Sequence, residues 1–559
     1  MNATWSARAK KKREEVLGLI PPKWRLPRPL PSPESQKDVT ADYIRQFLSE
    51  REIDITETDA VGIVERTRTG KWTATEVVTA FCHRAALAHQ LTNCLLEIFF
   101  DQAIMEAERL DANLATGKGP VGPLHGLPIS FKDQFHVRGV ETTMGYVGWI
   151  DTFEGVKGTR KERNVESELV REVCMLGAVP FCKSNLPHTV MSGVTWNHIT
   201  GHTLNPFNRL LTCGGSSGGE AALIALRGSP LGVGTDIGGS IRYPSAFNEI
   251  YGLRPSYGRL PYLGAANSMP GQNIVPSVCG PMATSARALR LLVEATLSQE
   301  PWLHDPAVVE IPWRRELATS LPSDGTRLTF GLYKTTGEVT PLPPVQRALA
   351  FVADLIRKKG HDVIEWNPPS HLEATALALE AFKADGGVDI HYNLGLAGEP
   401  PQDRVEGNYG IRATTPKPGN EVFDLVLRHK RYQKQYMDYW NSTAKLTSSG
   451  RPVDAILSPV SPVPPHLFFA TTDYGKLGYT PWVNVIDSPG VVFPVTRVDK
   501  NIDKVDETYQ PLTELDGKIW EEYDPEVSHG GPVGLQLVGR RFQEEKVIAL
   551  AEMFQEWLA

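Results

Sequence analysis

Residues 214–244 read GGSSGGEAALIALRGSPLGVGTDIGGSIRYP. Two serine-bearing, glycine-dense loops lie in this stretch: Ser216 and Ser217 in GGSSGG, and Ser240 in GTDIGGS. Gly214, Gly215, Gly218, Gly219, Gly234, Gly238 and Gly239 crowd the two loops. Glycine is placed where the backbone needs a positive φ or must approach another group closely. A loop such as TDIGGS can gather several backbone N–H groups into one concavity, suited to an anion or a developing oxyanion. Between the loops, residues 220–226 contain few helix breakers and read as a short helix with Ser217 near its N-cap. A purely structural reading makes these two tight turns around a buried helix and strand. Two serine-bearing loops this close together favour nucleophilic catalysis.

The base that would activate such a serine decides the class. GGSSGG fits G-x-S-x-G centred on Ser216 or Ser217, the pattern of an α/β-hydrolase elbow. That mechanism needs a histidine and an acid further along. His304, His361, His391, His429, His466 and His529 are available, but none sits in a comparably ordered loop. Upstream, Lys132 follows the apolar run 127–131 (LPISF), which reads as a buried strand. A lysine at the end of such a strand is desolvated, which lowers its pKa and suits it to act as a neutral base. A Walker A reading fails because no Gly-Lys-Ser/Thr follows either loop.

GLPISFKD (126–133), GGSSGGEAA (214–222) and GTDIGGSIRYP (234–244), in that order, resemble the amidase signature family, whose hydrolases use a Ser-Ser-Lys triad. The resemblance extends through TAFCHRAALAHQLTN (79–93), YGLRPSYGRLPY (251–262), NIDK (501–504) and GPVGLQLVGRRFQEE (531–545), and is strongest to acetamidase-type general amidases. It implies Lys132 as base, Ser216 as a bridging serine after a cis peptide bond, and Ser240 as nucleophile. It also implies an oxyanion and substrate loop at Ile237, Gly238 and Gly239, and an acyl pocket beside Val190 and Met191. Asp236 and Arg242 bracket Ser240, and an ion pair between them would hold the loop; Ser217 and Thr235 join them as supporting residues. The implied reaction cleaves the C–N bond of small carboxylic amides through an acyl-enzyme, without metal or organic cofactor.

Alternating apolar strands and helices argue an α/β fold, a large mixed β-sheet covered by helices on both faces. Strands are expected at 128–132, 179–183, 231–234, 327–333, 362–365, 455–458, 490–495 and 533–538, and helices at 167–176, 285–297, 343–359, 421–441 and 544–558. Residues 1–40 read as an appendage: a basic helix at 7–20 with a solvated face, then an extended proline-rich linker. Residues 41–559 read as one domain, with a catalytic core at about 120–301 and a C-terminal sheet and pocket portion at 302–559. Residues 385–420, rich in glycine and proline and without sustained periodicity, read as a long loop walling or covering the substrate channel.

Composition fits a large globular enzyme: 559 residues, 41% hydrophobic and 22% charged, with a formal net charge of −7. That balance argues against a nucleic-acid or anionic-membrane surface. No apolar run is long enough to span a bilayer, which argues against a fatty-acid amide hydrolase with an N-terminal anchor. Six cysteines show neither C-x-x-C nor metal-ligand spacing, so buried thiols in a reducing, cytoplasmic setting are expected. A small amide is the expected partner, with a homodimer left open. An amidotransferase A-type subunit, a Ser-His-Asp esterase, a binding protein without activity and a hydrolase of broader amide, ester or carbamate specificity stand as alternatives.

Overall fold

Apolar runs of four to eight residues, bounded by glycine, proline or acidic residues, build the principal sheet. In a computed structural model, which describes residues 4–319, 327–468 and 477–559, the strands are β1 (Leu95–Ile98), β2 (Pro128–Lys132), β3 (Val179–Ser184), the short pair β4 (Trp196–Asn197) and β5 (Gly201–His202), β6 (Leu231–Asp236), β7 (Tyr251–Arg254), β8 (Val278–Ala283), β9 (Thr329–Leu332), β10 (Asp362–Glu365), β11 (Ala455–Pro459), β12 (Gly490–Arg497) and β13 (Pro532–Val538). Eleven of them form one sheet in the order β1-β3-β2-β6-β8-β7-β12-β13-β11-β9-β10, with β4 and β5 a separate ribbon. The sheet is mixed: β3, β2 and β6 run parallel, as do β11, β9 and β10, whereas β6–β8–β7–β12–β13–β11 pair antiparallel.

Alternation along the strands shows why both faces are covered. Val491 and Phe493 of β12 enter the main core, whereas Val492 between them packs with Tyr243, Phe247 and Val460 on the other side. Ala455 and Leu457 of β11 likewise face the main core, while Ile456 faces the cluster of Trp366, Tyr436 and Trp482. Helices Ala286–Leu297, Pro343–Lys358 and Glu544–Leu558 supply the main core. Ala221 and Ile224 of the Gly218–Ala225 helix pack with Ile241 and Met282 in a separate cluster. Each fully buried aliphatic or aromatic side chain in these layers contributes about 1.5–3 kcal/mol. The α/β sheet read from the sequence is the one the chain forms, with helix and strand ends displaced by one or two residues.

Two expectations change. Residues 385–420 are not a long loop: helices Val388–Gly395 and Asp403–Tyr409 form within them. Ile390, Leu394, Val405 and Tyr409, each pair four residues apart, bury against Tyr146, Trp149 and Val190. Two turns of helix on either side of a break are too short to show as a sustained stripe.

The basic helix, Trp5–Gly18, does not present a solvated face throughout. Lys12 is 6% exposed and lies 2.6 Å from both Glu97 and Glu141, while Arg13 reaches the Ile199 and His198 carbonyls. Two buried carboxylates on the body require a cation, and the helix brings it. Among the described residues no helix is long and apolar enough to cross a membrane. All six cysteines are unpaired, and all but Cys174 are buried.

Candidate active site

β2 ends at Lys132 and β6 at Thr235 and Asp236, so the parallel pairing of these neighbours brings the lysine to the loop that leads to Ser240. Lys132 is fully buried. Its Nζ donates to Ser216 Oγ at 2.6 Å and to Thr235 Oγ1 at 2.8 Å. The Thr235 hydroxyl donates to Gln134 Oε1 (2.6 Å), and Gln134 is oriented by its own Nε2 donating to the Ala266 carbonyl (2.8 Å). The Thr235 oxygen therefore turns its lone pairs to Lys132. Two oxygen partners suit an amine with two N–H bonds and one lone pair better than an ammonium with three donors. Burial drives the Lys132 pKa well below its ordinary value, only partly opposed by the charges of Asp236 and Glu220.

Glu220, placed by the sequence only on a helix, lies behind this lysine. Its carboxylate accepts from Ser184 Oγ (2.6 Å) and from Ser130 Oγ, and burial raises its pKa to about 7.

The Gly215–Ser216 peptide bond is cis. Ser217 occupies the N-cap of the Gly218–Ala225 helix but does not cap it with its side chain; the hydroxyl donates to the Thr235 carbonyl at 3.3 Å. The Ser217 N–H donates to the Ser240 carbonyl at 3.1 Å, tying the two serine loops together. No hydrogen bond joins Ser240 Oγ to Ser216 Oγ. None among the described residues joins a histidine to Ser216, Ser217 or Ser240.

Asp236 and Arg242 meet in a bidentate pair, at 3.1 Å for each bond, with both side chains fully buried. Burial raises the cost of the Asp236 charge, yet Arg242 and then the Asn484 amide (2.8 Å) bring its pKa down to about 2. Arg242 uses its remaining donors on the Thr480 carbonyl (3.0 Å), Gln536 Oε1 (3.1 Å) and Asn484 Oδ1 (2.5 Å). A guanidinium with every donor engaged is a rigid post for the loop.

That post determines which loop amides are free. The Gly238–Gly239 peptide unit is held at both ends: its carbonyl accepts from Thr480 Oγ1 (2.7 Å) and its N–H donates to Asp236 Oδ1 (2.8 Å). Gly239 has φ +128, and a Cβ there would meet Thr480 Oγ1 at 2.5 Å, so the position requires glycine. The Gly239 N–H, expected among the oxyanion donors, is thus engaged elsewhere. The N–H groups of Ile237, Gly238 and Ser240 have no hydrogen-bond partner among the described residues.

A cavity of about 90 Å³ lies over this loop, lined by Gly215, Ile237, Gly238, Gly239 and Ser240 together with Val190, Met191, Leu379, Phe382 and Tyr409. Val190 and Met191, expected beside an acyl pocket, are in this lining. Gln134, Thr480, Asn484 and Gln536 escaped it. Gln134, two residues beyond Lys132, carried the one local signal; the other three lie more than two hundred residues from the loop they hold.

A family profile described as Amidase matches residues 76–548. The chain is 41% identical over 560 residues to the acetamidase of Emericella nidulans, covering 99% of this chain and 98% of that protein. It is also 41% identical over 554 residues to the acetamidase of Aspergillus oryzae, with the same coverage of 99% and 98%. A solved structure of a fatty acid amide hydrolase superposes with a TM-score of 0.89 at 32% identity, covering 99% of this chain and 95% of that one.

Proposed function

The chain belongs to the amidase signature family and is an amidohydrolase acting on amides; on that premise we propose that it hydrolyses small carboxylic amides through a Ser240 acyl-enzyme, with Ser216 and Lys132 relaying the proton. The buried Lys132–Ser216 contact of 2.6 Å, with Thr235 and Gln134 fixing the amine's remaining partner, carries this reading.

For turnover the Ser216 hydroxyl turns to donate to Nζ, so that neutral Lys132 takes the Ser216 proton as Ser216 takes the Ser240 proton. Ser240 Oγ bonds to the carbonyl carbon, and negative charge develops on the carbonyl oxygen. The Ile237, Gly238 and Ser240 N–H groups are the donors left to receive that oxygen, each worth roughly 10²–10³ in rate. The proton then returns from Lys132 through Ser216 to the leaving nitrogen as the C–N bond breaks. Water, deprotonated along the same route, releases the acid and restores Ser240. The Ser216–Ser240 link closes on substrate binding, since catalytic hydrogen bonds often tighten only in the complex. The small cavity and the full-length similarity to proteins called acetamidase support a short acyl group and a stand-alone enzyme rather than an amidotransferase subunit.

The test is turnover of a series of primary amides, from acetamide to long-chain amides, by the purified single chain. Intact mass after treatment with a fluorophosphonate reports the phosphonyl adduct formed as a serine Oγ displaces fluoride from phosphorus. Activity on the short members, with the adduct abolished in Ser240→Ala, is expected. No activity of the chain alone, or an adduct that persists in Ser240→Ala, would overturn the reading.

A further inference from the structure

The Gly218–Ala225 helix has the serine loop at one end and a second, polar cavity of about 230 Å³ at the other. Arg45, Arg84, Arg227 and Arg497 line it, with only Glu57 and Glu249 as acidic residues, so the lining itself is net positive, although Arg45 also pairs with Asp42 (3.5 Å) just outside it. Glu57 is engaged by Arg45 (2.5 Å) and Arg84 (3.3 Å), and Glu249 by Arg497 (2.6 Å). The half-buried Arg227 guanidinium has no hydrogen bond or ion pair among the described residues. The Thr284 hydroxyl, also in the lining, is buried without a partner. A guanidinium is costly to hold in a half-buried place without an anion.

The backbone points to the same place. The helix ends in a Schellman motif, with Gly228 N–H donating to the Leu223 carbonyl (2.9 Å) and Arg227 N–H to that of Ile224 (2.8 Å). The left-handed position in that motif is normally glycine, yet here it is Arg227, at φ +58. Ala41 (φ +42) and Glu249 (φ +55), two further non-glycine residues in the left-handed region, also line this cavity. Such conformations collect where a site needs its side chains held in a particular direction.

We propose that this cavity binds a phosphate-type dianion, free or carried on a small metabolite, with Arg227 as its principal ligand. A planar guanidinium presents paired donors to adjacent phosphate oxygens, and the net positive lining suits an anion there. A volume of about 230 Å³ leaves room for a phosphate and a small carrier. The helix rise of about 1.5 Å per residue puts roughly 15 Å between Ser217 and Arg227, so this site is separate from the one that cleaves amides.

Calorimetric titration of the full chain tests it, with inorganic phosphate in one arm and glycerol phosphate in the other, in chloride buffer at constant ionic strength. Saturable one-to-one binding is expected, weakened about tenfold or more by Arg227→Gln, with acetamide turnover unchanged. Glu249→Gln, which removes a negative charge from the lining, should tighten binding and so tests the site even if Arg227→Gln folds poorly. Tighter binding of glycerol phosphate identifies a carried phosphate, and equal affinities a free one. Absence of saturable binding in both arms, or wild-type affinity in a folded Arg227→Gln, would overturn the proposal.

Discussion

Lys183 Nζ lies 2.8 Å from Asp133 Oδ1, and neither side chain is exposed. Asp133 directly follows Lys132 in sequence, yet its carboxylate serves a different lysine on the neighbouring strand. Asp133 Oδ2 also accepts from the Thr143 N–H (3.1 Å) and the Met144 N–H (2.8 Å). Alternation along the chain sends Lys132 toward Ser216 and Asp133 to the face of Phe131, which pairs with Lys183 in β3. Two lysines are thus buried side by side, one with a carboxylate and one with hydroxyls only. The second is the one suited to give up its proton.

That arrangement predicts the pH profile. In the proposed mechanism amide turnover requires unprotonated Lys132, so it should fall on the acid side as the lysine takes up a proton and stay high into alkaline pH. Lys132→Ala should lower kcat by roughly 10²–10⁴ with the fold intact. Because the folded pKa lies below the unfolded value of about 10.4, the unfolded chain binds more protons between the two. Wild-type stability should therefore rise with pH across that window, while Lys132→Met should lack this component. Melting curves of both proteins against pH give the comparison, and parallel curves would contradict it.

The Arg242 post predicts a stability loss coupled to a catalytic one. Arg242→Ala leaves the buried Asp236 charge without its cation, at a cost of about 3–5 kcal/mol. It also releases the loop that sets the Ile237 and Gly238 amides. Denaturant unfolding and kcat should both fall, with KM less affected. Asp236 has a depressed pKa, so its contribution is present above the unfolded value of about 3.9 and lost as pH falls toward 2. Wild type should lose more stability than Asp236→Asn across that acid window.

Lys12 predicts that the N-terminal helix is needed for stability. Burial alone would lower its pKa, but Glu97 and Glu141 hold it above the ordinary value. Its contribution is full below the unfolded pKa and fades only when pH rises through the folded one. Lys12→Met should destabilise by about 3–5 kcal/mol, because two buried carboxylates lose their cation. The deficit should shrink in acid, where Glu97, whose pKa burial raises to about 7, takes up a proton and no longer needs the cation. A melting temperature within a degree or so of wild type at neutral pH would show that the helix is merely attached.

Phe382 predicts acyl-chain preference. Its ring lies 3.7 Å from where a Cβ on Gly238 would stand, and with Leu379 it closes one side of the cavity over Ser240. Phe382→Ala should raise kcat/KM for longer acyl amides relative to acetamide by about tenfold or more, the scale of a few methylenes in an apolar pocket. An unchanged ratio across the series would remove the ring from the specificity wall.

Much of this was legible in the chain itself, because it depends on short-range requirements. The glycine loops, the two serines twenty-four residues apart, the lysine ending an apolar run and the buried strands each follow from what a few consecutive residues permit. Short helices set among glycines and prolines were not legible, which is why Val388–Gly395 and Asp403–Tyr409 read as a loop.

The tertiary structure alone decided who partners whom. Thr480, Asn484 and Gln536 reach the Ser240 loop because the segment before β12 and the strand β13 fold back onto it, and no periodicity records that meeting. The same closure turned the Gly239 amide inward to Asp236, gave Asp133 to Lys183, and buried Lys12 between two glutamates. Local sequence specifies backbone shape and the chemistry on offer. Charge pairing inside a core is set by which groups the fold excludes from water together, and that is a property of the assembled chain.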